Sequence, residues 1–303
     1  MGTSSRRLIA ASAAALLALT AAAPAFAQDA DYLQRIKDAG VIRMSTDGLY
    51  PPQSELTPDG NYQGFDIDVG TEIADRLGVD IDFVEPAWEL ITAGNWGDRW
   101  DMSVGSMTIT SPRQEKLDFT QPYYYTPAQM AANSELGIET LDDLAGKTIC
   151  MGAATTYLDW MNGTLDFGSE SPDTVPPEGS VATTFPTDRE CAQVWGAGRK
   201  DFEGWLTSSV TVQDAIDDGL PVVAIGEPVF YEPLAVAFDK SVEDNDSLVE
   251  AVDAIIGEMH ADGTLTELSN KWYGYDLTQR VDAAGDSAAP EESEGAAPEE
   301  SEE

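Results

Sequence analysis

Arg113 is the residue whose type and position most directly imply chemistry. It ends the stretch that begins at Asp101, which starts as a strand, with Met102, Val104 and Ser106 alternating with smaller or polar residues. The stretch then turns into a helix start. Ser111 suits the N-cap, Pro112 the first helical position, and Gln114 stands where a capping box takes Glu or Gln. A cation in that first turn opposes the helix dipole and costs a few tenths of a kcal/mol, up to about 1. A local rule broken at a strand-to-helix junction points to function. The helix N-terminus offers free N–H groups to an anion, and the guanidinium adds a planar fork that fits a carboxylate. The stretch alone has two readings: a site for the carboxylate of a small ligand, or a surface arginine paired with an acid such as Glu115.

Other reactive residue types are sparse. One histidine, His260, and two cysteines, Cys150 and Cys191, do not make a zinc site. No Ser/His pair and no phosphate loop is evident. His260, just before Gly263, reads as the cap at the end of a helix. Glu89, Glu203 and Glu232 are the acids that could serve as a general acid. Cys150 lies in an apolar strand, and Cys191 opens a helix after the next strand, so the two can approach. An exported compartment permits a disulfide; two buried free thiols are the alternative.

The first 27 residues explain the export. Arg6 and Arg7 form a positive region, Leu8 to Ala23 an apolar, alanine-rich core, and Ala25-Phe-Ala27 a cleavage site. The segment Ser5-Arg6-Arg7-Leu8-Ile9 also resembles a twin-arginine signal, so both secretory routes stay open. No cysteine lies near the cleavage site, so a lipoprotein is not expected. No later apolar run is long enough to span a bilayer. From Val281 to Glu303 the chain holds no aromatic and no basic residue, and Ala288-Ala-Pro-Glu-Glu-Ser-Glu294 recurs at 296–302. That composition reads as a disordered acidic tail. The net charge of −39 is spread along the whole chain. It disfavours nucleic acid and anionic membranes as partners and suits a solvated surface in a salty exterior.

What remains, about 250 residues, is enough for two lobes. Strands alternate with helices: a strand at Val41–Ser45, a helix at Asp66–Leu77, a strand at Val79–Val84, a helix start at Trp88, then the strand at Asp101–Ser106. The pattern restarts with strands at Lys147–Met151, Val181–Phe185 and Phe202–Leu206 and helices at Tyr157, Arg189 and Thr211. Asn162–Gly179 is an insertion-like loop. The last helices have no sheet of their own and are expected to dock on the first lobe. The expected division is 1–27 signal peptide, 28–126 plus 232–280 lobe 1, 127–231 lobe 2, and 281–303 tail. Two chain crossings at a hinge suit closure around a ligand.

Gly64-Phe-Asp-Ile-Asp-Val69, with Ile73-Ala74 and Leu77, resembles the signature of the amino-acid-type extracellular solute-binding proteins of ABC importers, family 3. Thr108-Ile-Thr110 with Arg113, Phe119-Thr-Gln-Pro-Tyr123, Leu144-Ala-Gly-Lys147, Thr155-Thr156, Asp262-Gly-Thr264 and Lys271-Trp272 match the same family in order and spacing. The resemblance covers about residues 30–278. It implies an α/β, two-lobed fold of the type II periplasmic-binding-protein kind and a non-enzymatic, monomeric, periplasmic protein. Such a protein closes on one small ligand and delivers it to an ABC permease of the inner membrane, with no cofactor and no metal. By this resemblance Arg113 holds the ligand carboxylate, helped by Thr108 and Ser106. Thr155 and Thr156 close on it from lobe 2, and Tyr50 and Trp88 sandwich it. Asp47 is a polar neighbour on the same loop as Tyr50. Thr156, with Asp159 three residues on, also reads as an N-cap. The family's lobe-2 aspartate for the ligand ammonium is missing: Leu206 or Thr207 falls at that place. An unpaired ammonium would cost roughly 1–3 kcal/mol or more. Glu89, Glu203 or Glu232 could replace it, or the ligand carries a masked amine. Two alternatives to transport follow: a cyclohexadienyl or arogenate dehydratase-like enzyme on this fold, and a partner that presents ligand to a membrane sensor.

Overall fold

In the computed structural model of the chain, residues 31–279 are described, apart from 169–171 and 173. The expected signal peptide and acidic tail lie outside the described residues. Helix α1 (Tyr32–Ala39) is capped by Asp31, whose side chain accepts from the Gln34 N–H. Strand β1 (Val41–Ser45) leads to a small antiparallel sheet of β2 (Leu49–Tyr50), β3 (Ser54–Leu56) and β4 (Tyr62–Gln63). Gly64, at φ 135°, turns the chain into α2 (Phe65–Leu77); a Cβ there would stand 2.2 Å from the Gln53 carbonyl oxygen. Next come β5 (Asp80–Val84), α3 (Trp88–Thr92), β6 (Met102–Thr108), the one-turn α4 (Ser111–Gln114) and β7 (Leu117–Phe119).

The second run begins with β8 (Tyr124–Asn133), then β9 (Thr148–Gly152), α5 (Thr156–Met161), β10 (Val181–Phe185) and α6 (Arg189–Gly196). It continues with β11 (Gly204–Ser208), α7 (Ser209–Asp217) and β12 (Val222–Ala224). Strand β13 (Phe230–Asp239) returns the chain, and α8 (Asp246–Ala261) and α9 (Thr264–Tyr273) follow.

The larger sheet has the order β10-β9-β11-β8-β13-β6-β1-β5, with β12 on β8 and β7 on β13. Strand β1 lies parallel to β5 and β6, and β9 parallel to β10 and β11. The long strands β8 and β13 pair antiparallel, Phe230 opposite Ala128 and Leu234 opposite Tyr124. Each also serves one half: β8 continues along β11, and β13 along β6 and β7. They are the two crossings of a two-lobed α/β fold.

Packing follows the same division. Ile42, Met44, Phe65, Ile73 and Tyr124 share a core with Leu248, Val252, Ile256 and Leu265, so α8 and α9 pack against α2 and the β1 side of the sheet. In the second lobe the alternation of β9 feeds two cores. Ile149 and Met151 join Met130, Leu206 and Phe230, while Cys150 joins Trp195, Phe202 and Trp205. A Cys150–Cys191 disulfide ties β9 to α6.

Three local expectations are corrected. Strand β11 covers Gly204–Ser208 instead of 202–206, because Phe202 packs into the core beside Trp195. Gly204 starts the strand, where a Cβ would press within 3.1 Å of Ile149. The N-caps of α4 and α5 are Thr110 and Thr155, each one residue earlier than Ser111 and Thr156. Both are extended and accept from the N–H three residues on. His260 does not cap its own helix: its Nε2 meets the Pro122 carbonyl at 2.9 Å.

Candidate functional site

The residues at the C-terminal ends of the parallel strands converge on one cavity, the place where open α/β sheets present ligand-binding groups. From the first lobe come Asp47 after β1, Trp88 after β5, and Gly105, Ser106, Thr108 and Arg113 along and after β6. From the second come Gly152, Thr155, Thr156 and Tyr157 after β9, and Pro186, Thr187 and Asp188 after β10. Tyr50 and Glu232 complete the lining. The cavity thus contains eight of the nine residues expected from sequence: Asp47, Tyr50, Trp88, Ser106, Thr108, Arg113, Thr155 and Thr156. Thr207 is not among them. Because β11 extends to Ser208, that serine caps α7, and Thr207 lies one residue back in the strand, fully buried.

Arg113 is buried at 7 % exposure. Its Nη1 donates to the Thr108 carbonyl at 3.0 Å, and its Nη2 to the Ala154 carbonyl of the other lobe at 3.1 Å. The guanidinium stands 5.6 Å from the centre of the Trp88 ring, within cation–π range. Trp88 Nε1 donates to the same Ala154 oxygen at 3.1 Å. Ala154 is held at φ 58°, in the left-handed region. Among the described residues no carboxylate lies within the 4.0 Å of an ion pair with Arg113. Helix α4 has four residues and α5 six, so few aligned peptides add to the free N–H groups of their first turns. The full positive charge in the cavity lining is the Arg113 guanidinium. Burial draws it down from its usual value, while Glu232, Asp159 and Tyr157 hold it up.

Glu232 is the residue on which the lobes meet. It is fully buried on β13 and accepts from Thr108 Oγ1 at 2.7 Å, from Tyr157 OH at 2.8 Å and from Thr156 Oγ1. Burial raises its carboxyl, and the Thr156, Thr108 and Tyr157 bonds and the Arg113 charge oppose that. A second bridge runs from Gln53, whose Nε2 donates to Ser208 Oγ at 3.0 Å and whose Oε1 accepts from Thr211 Oγ1 at 3.3 Å.

Ser106 lines the cavity with its hydroxyl turned away. At φ 54° its N–H donates to Tyr123 OH at 3.0 Å, and its Oγ donates to Asp66 at 2.7 Å and meets Tyr124 OH. Tyr123 OH donates to the other Asp66 oxygen at 2.8 Å. Burial pushes the Asp66 carboxyl up to about 7 against these two bonds. This relay fixes the left-handed turn that aims β6 into the cleft.

Of the glutamates weighed as replacements for the missing aspartate, only Glu232 lines the cavity. Glu89 is exposed, and Glu203 accepts from the Thr148 N–H at 3.0 Å, away from it. Asp188 was not foreseen. The signal that could have found it is its place at the C-terminal end of a parallel strand, which it shares with Asp47 and Arg113. Among the described residues no group of three or more His, Cys, Asp or Glu side chains is arranged to hold a metal, and no helix is long and apolar enough to cross a membrane.

Comparison with known proteins agrees with this geometry. The family described as bacterial extracellular solute-binding proteins, family 3, matches residues 42–275. The L-cystine-binding protein TcyJ of Escherichia coli K12 is 30% identical over 254 residues, covering 83% of this chain and 89% of TcyJ. The crystal structure of the ancestral amino acid-binding protein AncCDT-1, a precursor of cyclohexadienyl dehydratase, superposes with a TM-score of 0.67 at 26% identity, covering 80% of this chain and 99% of that one. The cyclohexadienyl dehydratase of Pseudomonas aeruginosa is 34% identical over 135 residues, only 44% of this chain and 50% of that enzyme.

Proposed function

Because this chain belongs to the bacterial extracellular solute-binding proteins of family 3, we propose that it captures a carboxylate-bearing small molecule, an amino acid or a derivative, between its lobes. It then delivers this cargo to an ABC permease of the inner membrane. The observation that carries this reading is Arg113: a buried cation in the cleft that meets carbonyl oxygens and no acid among the described residues. An incoming carboxylate supplies the charge that two carbonyls cannot, through a bidentate pair. Trp88 and Tyr50 flank it as apolar walls, with Asp47 beside Tyr50. Thr155 and Thr156 face it from lobe 2, and Thr108 and Ser106 shape the approach through their backbone. The lobes comprise 28–126 plus 232–280 and 127–231, and they close by rotation about β8 and β13. The protein acts as a periplasmic monomer.

A thermal-shift panel of the L-amino acids and L-cystine tests this reading. A ligand at about 100 times its dissociation constant adds about 2.7 kcal/mol, a clear rise in melting temperature. No rise with any carboxylate on the panel contradicts the proposal. A second reading, a dehydratase on this fold, draws support from Glu232, a buried carboxyl facing the cavity. It takes second place because Thr108, Thr156 and Tyr157 already occupy that carboxyl as donors. Turnover of prephenate or arogenate by the purified protein would favour it. A third role, presenting ligand to a membrane sensor, predicts a sensing defect on deletion with uptake intact.

A further inference from the structure

We propose that Asp188 binds the cationic group of the ligand, an ammonium in the simplest case, and so makes this cleft selective for amino-bearing carboxylates; this rests on the carboxylate reading of Arg113. Ser208, at the end of β11, is neutral and engaged with Gln53 and Thr211, so the anionic partner must come from another element. Asp188 is that element's contribution. It is 7 % exposed, lines the cavity, and stands at the entry to α6. It is the N-cap residue of α6, but its side chain makes no capping hydrogen bond. One oxygen, Oδ1, accepts from the Gly152 N–H across the second lobe.

Of the other carboxyls at the cleft, Asp47 is only half-buried and accepts the Leu49 N–H of its own turn, and the two fully buried ones are committed. Glu232 accepts three hydroxyl hydrogens, and Asp66 is closed behind Ser106 and Tyr123. Asp188 accepts the Gly152 hydrogen and has the Thr207 hydroxyl beside it, and no arginine, lysine or further donor is described on it.

Its position is fixed from three sides. A Cβ at Gly152 would come within 2.8 Å of Asp188 Oδ1, so the glycine is what admits the carboxylate. The next residue, Arg189, is turned away to pair with Asp214 of α7 and with Asp218 at that helix's C-cap. Cys191 is joined to Cys150 on β9, the strand that also carries Gly152. A preorganised carboxylate of this kind loses little on ordering when a cation arrives.

The surroundings make that carboxylate demand a cation. Burial pushes its carboxyl up to about 7, Glu232 and Asp47 add to the push, and the Gly152 N–H and Thr207 oppose it. Tyr50 and Tyr157 face it from β2 and α5. Glu190, on its own helix, is engaged with Thr187. An ammonium bound beside Asp188 favours the ionised form. Amino-acid affinity therefore rises as pH climbs through about 7 and falls below it.

The test uses two probes: the L-α-amino acid that binds most tightly in the panel, and the 2-hydroxy acid with the same side chain. Calorimetry is run on wild type, Asp188→Asn and Asp188→Ser, with melting curves to verify folding. Wild type should prefer the amino acid by about 10- to 100-fold, and both variants should lose most of that preference, with hydroxy-acid binding changed by less than about threefold. The rise in amino-acid affinity between about pH 6 and about pH 8 should vanish in Asp188→Asn. Unchanged amino-acid binding in both variants overturns the inference and leaves the carboxylate reading intact. Equal binding of the two probes by wild type has the same consequence. If wild type binds neither probe nor any other carboxylate, the carboxylate reading fails and this inference with it.

Discussion

Two arginines are almost withdrawn from solvent, Arg113 at 7 % exposure and Arg189 at 3 %. Arg189 has what a buried cation needs inside the protein: Asp214 at 2.7 Å, and Asp218 as a second partner. Arg113 has two carbonyl oxygens and an aromatic face. A buried charge without an opposite charge is costly, and the fold tolerates that cost where a cavity opens beside it. The difference separates an arginine that holds α6 to α7 from one that, in the reading proposed above, awaits a ligand carboxylate. Residue type, burial and helix position are similar in the two; the inventory of acids around each is what distinguishes them.

The comparison can be broken first at the Arg189 end, where the expected effects on stability are largest. Replacing Cys150 and Cys191 together with serine removes the covalent tie two residues past Arg189 and should lower unfolding free energy by about 2–5 kcal/mol, read by denaturant titration. Arg189→Ala should cost about 1–3 kcal/mol by the same measurement, discounted because the Asp214 and Asp218 side chains are 26 % and 63 % exposed. Its effect on ligand affinity should be small. A neutral Arg189→Ala would remove the distinction drawn between the two arginines.

A third prediction concerns pH. The Asp66 carboxyl is raised by burial to about 7 in the folded chain from its ordinary 3.8. Between those values the folded state binds more protons than the unfolded one, so this group's stabilisation is fully present below about pH 4 and lost as pH rises through about 7. Asp66→Asn should flatten the fall in stability across that window; an unchanged slope assigns the pH dependence elsewhere. The smallest effect is expected at Thr207. Its buried hydroxyl lies beside Asp188 without the distance and angle of a full hydrogen bond, so it steadies that carboxylate only weakly, and the side chain is off the cavity. Thr207→Val should therefore alter stability and affinity by less than about 0.5 kcal/mol.

Much of this was legible in the sequence because local chemistry dictated it. The apolar face of α2 and the strand leading to Arg113 each follow from residues close together in the chain. Helix starts were misplaced by one residue, since Thr110 and Ser111, like Thr155 and Thr156, are adjacent hydroxyl residues that cap equally well. In each pair the tertiary contacts decide. Thr156 is drawn into the helix, where its hydroxyl donates to Glu232. The lobe-2 half of the site was poorly legible for the same reason. Asp188 meets Gly152 across 36 positions, and Thr156 meets Glu232 across 76. Nothing in the local pattern of either segment announces the other. The two-residue shift of β11 came from Phe202, whose pull into the core beside Trp195 outweighed its strand propensity. That shift puts Ser208, instead of Thr207, at the end of β11 and at the cap of α7.

The most direct test of the central claim is calorimetric titration of wild type, Arg113→Ala and Arg189→Ala with the amino acid that binds best to wild type. A buried, desolvated pair between Arg113 and the ligand carboxylate predicts that Arg113→Ala loses about 2–5 kcal/mol of binding while Arg189→Ala stays within about 1 kcal/mol of wild type. An unchanged dissociation constant in Arg113→Ala would contradict the account.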